Sequence, residues 1–140
     1  MSISDAAAAK LMGKGRRITG PRRIVVEAMT ARRRPFTIEE ICDEIPTVGR
    51  ATVFRTVRLL IESDALCRVP IEDGTVRYQL SAGGHHHHLV CSQCGAVEEF
   101  SDSALDRLIE QNAASRGFGL GSHSLEMYGT CRACGGSARP

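Results

Sequence analysis

Four cysteines form two matched pairs, Cys91–Cys94 and Cys131–Cys134, separated by 36 residues and each followed by a glycine, Gly95 or Gly135. Two thiolates three positions apart can grip one ion from a tight turn, and two such turns complete a closed tetrahedral S4 shell. A thioredoxin-like redox pair or a set of disulfides would not account for two matched knuckles at the ends of one αβ unit. The spacing therefore predicts a structural Zn2+ that ties the first and last strands of a small lobe. Ahead of Cys91 stand His85, His86, His87 and His88, four of the five histidines in the chain. An affinity tag would sit at a terminus, and nothing would place it beside a Cys-x-x-Cys. On a strand, side chains alternate faces, so His85 and His87 point one way while His86 and His88 point the other. Four in a row thus suit two different sites, with His123 and Cys67 as the outlying donors.

A chain of 140 residues is one ordinary domain or two small ones. Its net charge of +2 is unevenly spread. Residues 1–58 hold 12 Lys/Arg against 6 Asp/Glu, which is +6, and residues 59–140 hold 6 against 10, which is −4. A basic first half facing a polyanion is the implied arrangement. The opening MSISDAAAAKLMGKGRR puts its basic cluster after the alanines, the reverse of a secretory signal. No apolar run approaches the roughly 18 residues that span a bilayer. The expectation is a cytoplasmic protein whose paired cysteines hold metal. With no Trp and aromatics at 4%, the core must be aliphatic.

The elements that carry these groups are marked by local signals. Pro21 opens a helix with Ile24, Val25, Ala28 and Met29 inward and Thr19 or Gly20 as its cap. Thr37 and Glu40 make a capping box for a second helix over Ile38, Ile41, Cys42 and Ile45, which Pro46 stops. Cys42 on that apolar face reads as core. In GRATVFRTVRLLIES, Val53, Val57, Leu60 and Ile61 share a face, and Arg50, Thr52, Phe54, Arg55 and Arg58 fall mainly away from it. The runs ALCRVPI and TVRYQL, turning at Asp73-Gly74, read as a hairpin. Three helices and a two-stranded ribbon make a winged helix-turn-helix, whose last helix enters the DNA major groove. After a hinge at Ser81–Gly84, HHHHLV and AVEEF read as strands. DSALDRLIEQNAASRG reads as a helix with Leu105, Leu108 and Ile109 inward and Gly117 as its cap, and FGLGSHSLEMYGTC as one long strand. The predicted class is α+β, a winged-helix domain over 1–82, a hinge at 83–84, and an αβ domain over 85–140.

Several functions are set aside by the same residues. Catalytic zinc needs an open position beside a general base. The S4 set is closed and no H-E-x-x-H motif occurs, so no enzyme is expected. A metal store would not need a winged helix.

Together TGPR at 19–22, ATVFRTVRLL at 51–60, HHHHLVCSQCG at 85–95, HSLEMYGTC at 123–131 and the closing CRAC resemble the ferric uptake regulator superfamily of metal-dependent repressors. The resemblance runs from about Gly15 to Gly135 and is nearest its zinc-uptake-regulator branch. It implies a homodimer, made by the C-terminal lobe, that binds a palindromic double-stranded DNA operator. Arg17 would lie near the minor groove, and Arg50, Thr52, Phe54 and Arg55 on the DNA-reading helix. Family members usually carry Tyr where Phe54 stands, so a hydroxyl is lost while a ring that can meet a thymine methyl remains. The resemblance also implies a sensing site of Cys67, His86 and His88, completed by Gln79, Ser81 or water. A second regulatory site would use His85, His87, Asp106 and His123. Iron-sensing members place Glu at the position of Gln79 and His near Pro35, and this chain has neither. The regulatory metal expected is therefore Zn2+, with Fe2+ or peroxide sensing as the alternative within the family.

Overall fold

The structure is a computed structural model that describes residues 17–136 together with Ala7, Ala9, Lys10, Gly13 and Gly15. It divides into two compact units, Met1–Gly84 and His85–Pro140. Among the described residues no helix is long and apolar enough to cross a membrane.

The first unit holds helices α1 (Gly20–Thr30), α2 (Ile38–Glu44) and α3 (Arg50–Glu62), then strands β1 (Leu66–Pro70) and β2 (Val76–Leu80). Thr19 caps α1 by accepting from the Arg22 backbone N–H. Thr37 and Glu40 close a reciprocal capping box on α2. These caps satisfy amide donors that a helix start leaves without intrahelical partners. The core is aliphatic apart from Phe36, with Val25, Met29, Ile41, Val53, Val57 and Leu60 from the three helices. Two inward faces differ from the sequence reading. On α1, Ile24 is 42% exposed and Val26 is buried in its place. On α3, Thr56 and Leu59 are buried and Ile61 is only half-buried, so the face is centred nearer Val53–Thr56–Leu60. Thr56 enters the core because its hydroxyl donates to the Thr52 carbonyl at 2.7 Å, so the buried hydroxyl is satisfied.

β1 and β2 pair antiparallel with Pro70 opposite Val76. The connection is longer than a two-residue turn: Ile71 N–H donates to the Thr75 carbonyl, and Asp73 accepts from both Thr75 N–H and hydroxyl. Phe36, between α1 and α2, forms an isolated antiparallel bridge with Tyr78 through two 2.8 Å backbone bonds. It fixes the ribbon to the helices, and nothing local in the sequence marks it. At the end of the unit Lys10 Nζ donates to the carbonyls of Asp64 and Ala82, both at 2.6 Å, and the Asp64 carboxylate accepts from Gly84 N–H at 2.7 Å. Gly83 has φ +86°, and a Cβ there would meet these same groups at 2.6–2.9 Å, so the segment requires glycine.

The second unit has strands β3 (His87–Cys91), β4 (Val97–Phe100) and β5 (Glu126–Gly129), helix α4 (Ser103–Ser115) and a 3-10 turn at Arg132–Cys134. β3 is central, antiparallel to β4 and parallel to β5. Asp102 caps α4 through Ala104 and Leu105 N–H, and Gly117 (φ +82°) closes its far end. Here three expectations are corrected. The long strand over 118–131 is a strand only at Glu126–Gly129, and the glycines at 119 and 121 weaken strand formation ahead of it. His85 and His86 precede β3 rather than belonging to it. Leu108 is 56% exposed and α4 buries no residue fully. Its apolar stripe exceeds what a three-stranded sheet can cover.

Candidate metal centres and nucleic-acid face

Cys91 ends β3, Cys94 lies in the following turn, Cys131 follows β5, and Cys134 closes the 3-10 turn. One sulfur from each falls within 4.8 Å of the others, and Cys94 Sγ lies 3.8 Å from Cys131 Sγ. A regular tetrahedron with Zn–S arms of ~2.3 Å has edges of about 3.8 Å. A disulfide would need roughly 2.05 Å; all six cysteines are free. The parallel pairing of β3 with β5 brings the two knuckles together, since Cys91 is opposite Gly129. Gly95 and Gly135 take φ of +74° and +96°, turning each knuckle back on its first cysteine. Backbone N–H groups, first that of Cys131 at 3.3 Å, pull the Cys91 thiol down to about 6. Cys131, Cys94 and Cys91 crowd Cys134 and push it up to about 12. Four thiols so placed cannot all ionise without a cation among them, and the donor set fits a divalent thiophilic ion.

The histidines alternate faces, although only His87 and His88 lie on β3. On one face, three imidazoles meet one carboxylate: Asp106 Oδ1 is 2.7 Å from His87 Nε2, 3.3 Å from His85 Nε2 and 3.5 Å from His123 Nε2. Asp106 is supplied by the first turn of α4, and its hydrogen bond from His87 holds its carboxyl below the usual range. His87 is 0% exposed. These four form an N3O set with ligand atoms within 4.8 Å of one another.

On the other face, His86 and His88 stack edge to face with ring centres 4.9 Å apart. Glu99, opposite His88 on β4, joins them: its Oε1 is 3.8 Å from His86 Nε2, and the three ligand atoms lie within 4.8 Å. Burial, and then the neighbouring His86, push the His88 ring below its ordinary value, toward the neutral form that binds metal. Glu99 was not singled out from the sequence. Its signal was AVEEF paired against HHHHLV, which puts a carboxylate across from the second histidine face. Cys67 sits in β1 of the first unit, half-buried and opposite Gln79, with Ser81 just beyond β2.

In the first unit, Arg17 is exposed ahead of α1, and its carbonyl accepts from Arg22 at 2.6 Å. Phe54 is 46% exposed, and Arg55 lies beside it with its guanidinium 3.2 Å from the Thr52 hydroxyl. Arg50 is engaged by Glu39 of α2. A cleft of about 380 Å³ between α3 and the ribbon is lined by Phe54, Arg55, Arg58, Arg68 and Tyr78, among others. It presents three guanidinium groups beside exposed aromatic surface, a surface suited to nucleic acid.

Comparison with known proteins agrees with this geometry. The ferric uptake regulator family model matches residues 13–128. The ferric uptake regulation protein of Cupriavidus metallidurans is 35% identical over 128 residues, 88% of this chain and 90% of its own. The crystal structure of the Vibrio cholerae ferric uptake regulator superposes with TM-score 0.60 at 32% identity, covering 86% of this chain and 96% of that one. The structure of holo XcZur superposes with TM-score 0.75 over 95% of this chain and 98% of its own, and at 21% identity that likeness is one of fold. The two metal-competent faces, the S4 cluster and the helical DNA-type unit thus sit in a chain that belongs to the ferric uptake regulator family, metal-responsive transcription regulators and not enzymes.

Proposed function

We propose that the protein is a homodimeric repressor that binds a palindromic operator when zinc occupies a site formed by His86, His88, Glu99 and Cys67. The observation that carries this reading is the His86–His88–Glu99 cluster, three donors gathered on one sheet face within 4.8 Å. Cys67 is proposed on chemistry: it is the ribbon thiol that the family pattern implies, and Glu99 takes the fourth place for which the sequence offered Gln79, Ser81 or water. A thiolate and two imidazoles, completed by one carboxylate, make a four-coordinate set suited to Zn2+. Cys67 precedes the 81–84 connection and the histidines follow it, so an ion held by both would couple the DNA-reading unit to the second unit. A coupling of about 1–3 kcal/mol, or 5- to 150-fold in operator affinity, is usual for such linkage. Cys91, Cys94, Cys131 and Cys134 would keep a second zinc permanently, and His85, His87, Asp106 and His123 would tune the response.

The exposed apolar residues Leu108, Met127 and Tyr128 of the second unit support a dimer made there. The Glu99 carboxylate favours a second reading, Fe2+ as the sensed ion, since harder cations prefer oxygen donors. The deciding experiment is operator binding by protein retaining only its S4 zinc, titrated with buffered Zn2+ and, without oxygen, Fe2+. Activation by Fe2+ at cellular levels, with a Cys67→Ser variant responding normally, would assign iron instead.

A further inference from the structure

The two histidine faces differ in what stands behind the metal-binding nitrogens. A histidine that ligates through one ring nitrogen is held in place when its other N–H donates to a carboxylate or carbonyl. On the three-histidine face, His87 directs Nε2 at Asp106, and its Nδ1 is buried with no hydrogen-bond partner among the described residues. On the opposite face the buried His88 Nδ1 is likewise short of a full hydrogen bond, but a carboxylate faces it, Glu126 Oε1 at 3.6 Å.

The position of Glu126 is fixed by the fold. β3 and β5 run parallel with His88 opposite Glu126, and His88 N–H donates to the Leu125 carbonyl at 3.1 Å. His88 therefore stands between two carboxylates, Glu99 on β4 and Glu126 on β5. They serve different rings: the imidazole contact of Glu99 is with His86 Nε2 and that of Glu126 with His88 Nδ1. Glu126 also lies outside the group of His86, His88 and Glu99 whose ligand atoms gather on that face. The gap of 3.6 Å is a few tenths of an ångström beyond a hydrogen bond. Such contacts tighten when the site is loaded.

We propose that Glu126 is a positioning residue for the sensing site: it takes the Nδ1–H of His88, leaves Nε2 as the donor atom, and thereby sets the affinity of that site above the three-histidine face. The proposal rests on the reading of His86 and His88 as sensing ligands. An imidazole whose tautomer and orientation are fixed in advance loses less freedom on binding, and a carboxylate behind it makes the ligating nitrogen more basic. His87 lacks such a partner, so ligation through its Nε2 leaves a buried N–H unsatisfied.

The test uses full-length protein holding its S4 zinc, in parent, Glu126→Gln and Glu126→Ala forms. Nitrogen-15 NMR of the His88 ring in the absence of added metal reads the tautomer, and competition with a zinc chelator reads the affinity of the sensing site. Expected are Nδ1–H in the parent, a shift toward Nε2–H in Glu126→Ala, and a 10- to 100-fold loss of zinc affinity in that variant. Glu126→Gln keeps an acceptor oxygen and should retain the parent tautomer with most of the affinity. Retention of the S4 zinc and of the melting temperature checks that each variant folds. An Nε2–H tautomer in the parent, or zinc affinity in Glu126→Ala within about 3-fold of the parent, would overturn the proposal. Equal losses in Gln and Ala variants would also overturn it, by making Glu126 a ligand. A shifted tautomer and weakened binding with an unchanged operator response would leave the positioning role standing and refute the sensing one.

Discussion

Glu39 of α2 and Arg50 at the start of α3 are joined through one guanidinium nitrogen, Arg50 Nη2, which lies 2.6 Å from Glu39 Oε1 and 2.8 Å from Oε2. Both side chains are exposed. Hydrogen bonding to Arg50 holds the Glu39 carboxyl below its ordinary value. The arginine at the N-terminus of α3, the helix proposed to read DNA, is thus already matched to a carboxylate. A phosphate would have to displace Glu39. Glu39→Ala should free Arg50, raise non-specific DNA affinity, and steepen the salt dependence by about 0.9 in log–log slope. In an Arg50→Ala background the same change should do nothing. Fluorescence anisotropy with random-sequence DNA at several salt concentrations decides it, and an equal gain in both backgrounds would refute the restraint.

Arg55 and Arg17 should separate by kind of contact. Arg55 stands on α3 beside exposed Phe54, where a side chain can reach base edges. Arg55→Ala should cost about 1–3 kcal/mol on the specific operator and little on random DNA. Arg17→Ala should weaken both more evenly and reduce the salt slope by about 1. Parent-like binding by both variants would remove α3 and its flank from the interface.

Elements with local causes were legible in the sequence. The Thr37–Glu40 capping box and the two Cys-x-x-Cys knuckles depend on residues three apart, and the histidine faces follow from strand period alone. Glu99 and Glu126 were not legible, because they meet the histidines only after β4 folds back and β5 returns in parallel register. Single-strand periodicity contains no register. The Phe36–Tyr78 bridge spans the whole helical core and was missed for the same reason. Leu108 was placed inward because an apolar stripe ordinarily meets its own core. Here it is exposed instead.

Stability of the first unit should fall in acid through Glu40. Its carboxylate accepts from Thr37 N–H at 3.0 Å and meets Arg77 at 3.3 Å and Arg32 at 3.5 Å. The Thr37 bond, then Arg77, and then Arg32 lower its pKa from 4.5. A carboxyl depressed in the folded state stabilises fully above its unfolded value and loses that contribution as pH falls through the folded value. Glu40→Gln, which keeps the capping-box acceptor but loses the charge, should therefore be less stable than the parent at pH 7 by up to about 1 kcal/mol. The two should converge as pH falls through the depressed folded-state value of Glu40, below the ordinary carboxylate range. Urea melts at several pH values give the comparison. A gap that is constant with pH would assign the loss to packing.

The S4 cluster should be inseparable from the fold of the second unit. Cys94→Ser removes one corner of a tetrahedron whose other corners hang on β3 and on the segment after β5. α4 buries no residue fully, so little apolar packing compensates. Zinc loss, a large fall in melting temperature and dissociation of the proposed dimer are expected, with the first unit still helical by circular dichroism. A variant with parent stability and parent dimerisation would show that the cluster is not structural.

Adjacent histidines should give unlike phenotypes, because they face opposite sides of one sheet. His85 Nε2 lies 3.1 Å from His123 Nε2 and 3.3 Å from Asp106 Oδ1. His86 stacks on His88 and faces Glu99. His86→Ala should abolish operator binding induced by metal at concentrations where the parent is saturated. His85→Ala should leave that response in place and shift its midpoint by no more than about 10-fold, as expected for a ligand of an auxiliary site. The S4 zinc should be retained in both, since its four cysteines lie beyond Val90, at the end of β3, in the turn after it and after β5. Metal content after dialysis against a weak chelator would show one regulatory equivalent lost from each variant. Operator titrations would then show whether the lost equivalent was the one that matters. If His85→Ala abolishes the response and His86→Ala spares it, the sensing role moves to the face of Asp106.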